Sequence, residues 1–130
     1  MIMVDTSVWV DYFNVTINIY TDQLDVLLSR EIVVCGDLIL AEILQGFRED
    51  MDFLNAKKAV AELECFAMVS RNLAIKSAEN FRHLRKMGIT VRKTTDMLIG
   101  TFCIENSIPL FYQDRDFDPL KNHLGLIPVA

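Results

Sequence analysis

Short apolar runs that break off on a polar residue alternate here with longer stretches whose apolar residues recur at helical spacing, and this leaves few folds open. The run at 2–5 is Ile-Met-Val ending on Asp5, and comparable runs lie at 32–35, 66–69 and 109–112. They are too short for helices, and their unbroken apolar character suits parallel strands covered on both faces. Between them, 8–13 reads as a short helix capped by Thr6 and Ser7. Residues 18–30 carry Ile19, Leu24, Leu27 and Leu28 at helical intervals. Asp37 is placed to cap a helix over 38–47, and further helices cover 50–64 and 72–87, the latter ended by Gly88. Thr94 or Thr95 starts another that reaches about Asn106. A turn and a short helix occupy 114–122. Residues 126–129 form a fifth strand, confined to an edge by Pro128, whereas Pro109 is acceptable as the first residue of its strand. This alternation predicts an α/β fold, a three-layer α/β/α sandwich with a mostly parallel central sheet.

The 130 residues make one domain, 1–130, with 52% hydrophobic residues to fill a core. The three cysteines, Cys35, Cys65 and Cys103, lack CxxC spacing and sit in apolar contexts, so all three are expected as reduced core residues of a cytoplasmic protein. His83 and His123 stand apart from them, without zinc-type spacing. The apolar opening stops at Asp5, too short for a secretory leader. No run approaches the roughly 18–20 apolar residues that span a bilayer. Net charge is −5, which argues against a general affinity for phosphate backbones.

Ligands of open α/β sheets bind beyond the carboxyl ends of the strands. Asp5 closes the first strand there, and Asp114 directly follows the fourth, with Asp116 two residues on. Asp96 falls in the first turn of its helix. Glu42 is mid-helix behind Leu38 and Ile39, on an apolar face where a carboxylate is costly unless paired or liganded. Each has a plainer reading: a helix cap for Asp5, a dipole partner for Asp96, turn residues for Asp114 and Asp116, a salt bridge for Glu42. Taken as a set, they imply more. Carboxylates gathered in one place raise each other's pKa, and a divalent cation removes that penalty. Oxygen ligands without Cys or His select Mg²⁺, with Mn²⁺ as a substitute. Such a centre can activate water against a phosphodiester.

Four stretches, Met3-Val-Asp-Thr-Ser-Val-Trp9, Leu40-Ala-Glu-Ile-Leu-Gln-Gly46, Thr95-Asp-Met-Leu-Ile-Gly100 and Gln113-Asp-Arg-Asp-Phe117, resemble the PIN-domain family, specifically its VapC-type toxins. The resemblance runs through the whole chain in order. It implies a metal-dependent endoribonuclease that acts on RNA, forms a homodimer and is neutralised by a small cognate antitoxin. By position, Asp5, Glu42 and Asp96 become metal-site acids, with the fourth role left to Asp114 or Asp116. Gln113 stands where many relatives carry Thr or Ser. On this reading Asp5, Asp96 and Asp114 or Asp116 hold one metal ion. Glu42 helps hold a second or orients the attacking water, and Thr6 or Ser7 orients Asp5 or touches substrate.

The net charge is less of an obstacle once its distribution is considered. Residues 80–95 contain no acid, yet hold Arg82, Arg85, Lys86, Arg92 and Lys93 just before Asp96. They form either a path for an RNA backbone, with Arg115 as a further contact, or an ordinary solvated face. Trp9, Tyr12 and Phe13 either pack in the core or, with Leu44 and Phe47, line a groove for an antitoxin segment. The rival reading, an aspartyl-phosphate phosphatase of haloacid-dehalogenase type, needs a second acid where this chain has Ser7. A catalytically silent PIN fold that only binds RNA or protein would not need the acids.

Overall fold

The computed structural model describes residues 1–129. In chain order its elements are β1 (Ile2–Val4), α1 (Thr6–Phe13), α2 (Ile19–Arg30), β2 (Val33–Gly36), α3 (Asp37–Gln45), α4 (Asp50–Ala61), β3 (Cys65–Phe66), α5 (Arg71–Lys86), α6 (Thr94–Glu105), β4 (Leu110–Phe111), a 3₁₀ turn (Arg115–Phe117) and α7 (Asp118–His123). The strands form one parallel sheet in the order β3-β2-β1-β4. The chain therefore steps outward from β1 to β2 and β3, then returns to place β4 on the other side of β1. That reversal creates a crevice at the carboxyl ends of β1 and β4, where this class of sheet binds ligands.

Burial explains the short strands. Met3, Val4, Val34 and Leu110 are fully buried, as strands covered on both faces should be. Helices pack in two groups, α1 with α2 and α3, and α5 with α6, giving the α/β/α sandwich the alternation predicts. Helix α6 has apolar residues all round, and Met97, Ile99, Gly100, Phe102 and Cys103 are all buried. At Gly100 an added Cβ would run into the Leu120 Cδ2 methyl, with Phe117 behind it.

Several local expectations need correction. The third strand is Cys65–Phe66 rather than 66–69. Past it, the Met68 amide leaves the ladder and donates to the Asp37 carboxylate at 3.1 Å, so a side chain replaces the strand partner. The fifth strand reduces to one bridge between Leu110 and Pro128. The Leu110 amide reaches the Ile127 carbonyl, and the Val129 amide reaches the Leu110 carbonyl, so the imide nitrogen of Pro128 is not asked to donate. The cap residues also differ: α1 starts after Asp5, α3 after Gly36 and α6 after Lys93. Ser70 caps α5 by accepting the Leu73 amide at 3.1 Å. Gly88, at φ +81°, ends that helix as its position suggests. Cys65 is exposed rather than in the core, because β3 is an edge strand.

Because Leu120 is fully buried, it has no room to yield to a new methyl at position 100. Gly100→Ala should cost about 1–3 kcal/mol in urea unfolding. A double-mutant cycle with Leu120→Ala should return a coupling of about 1 kcal/mol that favours the pair; additive effects would show that the contact is relieved some other way.

Candidate active site

Four elements deliver carboxylates to the β1–β4 crevice. Asp5 follows β1, and its amide donates to the Phe111 carbonyl of β4 at 2.9 Å, which fixes it at the sheet's reversal point. Glu42 comes from α3, Asp96 from the first turn of α6, and Asp114 from the segment after β4. All four line one cavity of about 270 Å³, together with Thr6, Ser7, Asp11, Lys93 and Gln113.

Asp5 and Asp96 are almost completely buried, at 4% and 5% exposure. Burial pushes the Asp5 carboxyl up to about 6, against the pull of the Ser7 hydroxyl and the nearby amides of Thr6 and Ser7, with Glu42 adding to the rise. Asp96 is pushed up to about 7, again chiefly by burial; the charges of Asp5, Asp114 and Glu42 add to this, and Lys93 opposes it. These two acids therefore sit where ionisation is unfavourable without a nearby cation. Asp96 Oδ2 is buried with no hydrogen-bond partner. An orphaned carboxylate oxygen in a crevice of carboxylates suits a hard divalent cation, and neither His nor Cys lines the cavity.

The two hydroxyls after Asp5 do not cap α1. Asp5 occupies the cap position in extended backbone, and Thr6 and Ser7 are already helical. That geometry frees both hydroxyls to hold acids. Thr6 Oγ1 donates to Glu42 Oε1 at 2.8 Å, and Ser7 Oγ donates to Asp5 Oδ2 at 3.1 Å. Glu42 is thus satisfied by a hydroxyl from α1, rather than by the salt bridge its apolar helix face left open.

Asp114 and Asp116 hold different positions. Single oxygens of Asp96, Asp114 and Asp116 lie within 4.8 Å of one another. Asp114 also lines the cavity, while its Oδ1 accepts the Asp116 amide at 2.9 Å. Asp116 stands beside the cavity with its carboxylate ion-paired to Arg92 at 3.2 Å.

Of the basic residues before Asp96, Lys93 reaches the cavity wall and Arg92 reaches its edge through Asp116. Arg85 instead lies over the Phe81 ring at 5.6 Å. Lys86, at the end of α5, and Arg115, on the 3₁₀ turn, are exposed. Trp9 is buried and stacks on Phe13 at 5.6 Å, and Phe13 meets Phe47 edge-on at 6.2 Å. Tyr12 and Phe13 keep partly open faces.

Asp11 goes unmarked in the sequence reading, and Gln113 is marked there only as a departure from Thr or Ser, without a role. Asp11 accepts from Gln113 Nε2 at 3.0 Å and from Asn18 Nδ2 at 3.3 Å. Gln113 Nε2 also donates to the Ser7 carbonyl at 3.2 Å. Asp11 stands one helical turn beyond Ser7, so a helical wheel places it on the cavity side. Gln113 does a tethering job here, tying the segment that carries Asp114 to α1.

A family model described as "PIN domain" matches residues 2–122. The chain is 33% identical over 129 residues to "Ribonuclease VapC11" of Mycobacterium tuberculosis, covering 97% of this chain and 96% of that protein. Among solved structures, VapBC2 of Rickettsia felis, bound to a DNA fragment from its promoter, superposes with a TM-score of 0.78 at 20% identity, covering 99% of this chain and 98% of that one. VapBC-5 of Mycobacterium tuberculosis gives 0.69 at 25% identity, covering 98% of each chain. A family model matched over most of the length, joined by a relative above 30% identity across nearly all of it, shows that this chain belongs to the PIN-domain family, in its VapC group.

Proposed function

We propose that this protein is a divalent-metal-dependent endoribonuclease, the toxin of a VapBC-type toxin–antitoxin pair. One observation carries the reading: Asp5, Glu42, Asp96 and Asp114, from four separate elements, share one cavity in which Asp96 Oδ2 has no partner. Asp5, Asp96 and Asp114 are the residues that would hold the metal, with Mg²⁺ as the physiological ion and Mn²⁺ as substitute. Bound there, the ion supplies charge neutralisation and Lewis acidity for attack of water on phosphorus.

The remaining steps fall to side chains. Thr6 fixes one oxygen of Glu42, which leaves the other free to orient the attacking water and take its proton. Lys93, exposed on the cavity lip, offers a cation to the non-bridging phosphate oxygens. The Asp11–Gln113–Ser7 bonds keep Asp114 in register with Asp5. In-line attack breaks the bond to the 3′ oxygen and leaves a 5′-phosphate and a 3′-hydroxyl. Asp116, whose oxygen lies within 4.8 Å of those of Asp96 and Asp114, is the alternative to Asp114 for the fourth role, with Arg92 paired to it at the edge.

The partners follow from the same family reading: an RNA substrate, a small antitoxin encoded beside the toxin, and a second copy of the chain, all in the cytoplasm. No helix among the described residues is long and apolar enough to cross a membrane. The half-open Tyr12 and Phe13, with Leu44 and Phe47, give the antitoxin an apolar seat beside the acids.

Cleavage of a fluorogenic single-stranded RNA with Mg²⁺ tests the assignment. Asp5→Asn and Asp96→Asn should each lower kcat/KM by about 10³-fold or more, as expected when a metal-site carboxylate is lost. Full activity in both would end the proposal. Thr6→Val should lower kcat about tenfold with KM nearly unchanged, since the hydroxyl orients Glu42 rather than binding substrate.

Thermal unfolding tests the metal independently of turnover. The Asp5 and Asp96 carboxyls titrate higher in the fold, about 6 and 7, than in the unfolded chain. Their contribution is therefore fully present below about pH 4, and is lost as pH rises through 6 to 7. Metal-free protein should melt progressively lower across that window. Mg²⁺ or Mn²⁺ should raise Tm more at pH 8 than at pH 5.5, because protons compete for the same oxygens. A pH-independent metal effect would place the ion elsewhere.

A further inference from the structure

Towards the opposite edge of the sheet from β4, two cysteines are paired across the neighbouring strands β2 and β3. Cys35 of β2 and Cys65 of β3 are register partners in the parallel ladder, held there by the Cys35 amide donating to the Glu64 carbonyl at 2.8 Å. Register partners in a parallel sheet project from the same face, with Cα atoms separated by about one strand spacing, roughly 4.8 Å. That separation falls within the range disulfides use. The two sulfurs also sense one another electrostatically, each altering the other's proton affinity. Their exposures differ sharply: Cys35 is 1% exposed, whereas Cys65 is open to solvent.

We infer that Cys35 and Cys65 form an oxidisable dithiol, which a small-molecule disulfide converts into an intrachain bond fastening the outer strand of the sheet to its neighbour. The exposed Cys65 thiolate attacks one sulfur of the reagent, forming a mixed disulfide and releasing one small thiolate. The Cys35 thiolate then attacks Cys65 Sγ, closes the protein disulfide and releases the second small thiolate. The two released thiolates take up the two protons given up by the cysteines. Two protein thiols are oxidised, and one reagent disulfide is reduced to two thiols, so atoms and electrons balance.

The surroundings permit the closure. β3 is only two residues long and lies at the edge, so it can shift by the fraction of an ångström that closer Cβ atoms require. Burial holds both thiols above their usual range, Cys35 up to about 12, with the neighbouring Asp37 adding to each. The exchange is consequently slow at neutral pH and accelerates with alkalinity, because the thiolate is the attacking species. Cys103 is equally buried, but it lies on α6 without a cysteine opposite. It remains a bystander. This site does not depend on the nuclease reading.

The test incubates native protein with oxidised glutathione, then denatures, alkylates and counts thiols by mass spectrometry. Wild type should lose two of its three thiols and, after non-reducing digestion, yield two peptides joined by a Cys35–Cys65 disulfide within one chain. The oxidised form should melt about 5–10 °C higher, as expected for a cross-link closing a loop of this length, and dithiothreitol should reverse the rise. The rate should climb about tenfold per pH unit between 7 and 8.5. Cys35→Ser should stop at a glutathione adduct on Cys65, and Cys65→Ser should not react. Three free thiols in wild type, an adduct that never resolves, or links only between chains would each overturn the inference.

Discussion

Burial of carboxylates that the fold refuses to hydrate is the constraint behind the rest of this structure. A carboxylate at a strand end usually finds water or a cation. Here Asp5 and Asp96 are sealed at the β1–β4 crevice with Glu42 and Asp114 beside them; Glu42 raises the proton affinity of Asp5, and Asp5, Asp114 and Glu42 raise that of Asp96. Nothing in the apolar layers gains from this arrangement. The sheet order makes it unavoidable: once β4 returns beside β1, whatever follows the two strands must meet. The site is thus a consequence of topology, and its chemistry follows from which residues occupy those two strand ends.

The surrounding bonds moderate the cost of burial without removing it. Two hydroxyls, Thr6 and Ser7, each donate to one acid, and both come from the first turn of the helix that Asp5 itself begins. Burial outweighs what a hydroxyl and two backbone amides return, which is why Asp5 still titrates near 6 with Ser7 bonded to it. Among the described residues Lys93 is the one basic side chain in the cavity wall, and it is exposed on the lip. The fold therefore keeps the interior acids short of positive charge and places an exposed cation at the entrance. That division suits a centre which takes a metal inside and a phosphate at the mouth.

How much of this was legible beforehand depended on whether the responsible contacts were local. Asp5 and Glu42 stood out because a carboxylate embedded in apolar residues is costly wherever it occurs. The alternation of runs fixed the parallel sheet for the same reason: pattern and burial coincide. Strand β3 was misjudged because an edge strand's length depends on competition, and the Asp37 carboxylate takes the Met68 amide that would have extended it. The sequence suggests Thr6 and Ser7 as caps because hydroxyls before an apolar run usually are. Their real partners follow from Asp5 already filling the cap position, which shifts both into the helix. The Asp11–Gln113 bond joins positions 102 apart in the chain, and no local pattern reports such a pair. Cys65 looks like core because Phe66, Ala67 and Met68 follow it, but the strand order leaves it on an uncovered edge.

The net charge of −5 suggested a poor match to RNA, and the structure shows why a total is the wrong quantity. A field decays within about 10 Å at ordinary salt, so only nearby charges matter to a phosphate entering the crevice. Arg92 lies against Asp116, which turns one edge of the acid cluster from repulsive to neutral. Lys93 lowers the proton affinity of Asp96, the opposite effect to that of every acid around it. Both residues belong to the loop that leads into α6, the helix whose first turn holds Asp96. The same short segment therefore sets the position of a buried acid and the sign of the potential outside it. Moving the acid without its basic lead-in would leave the crevice closed to a polyanion.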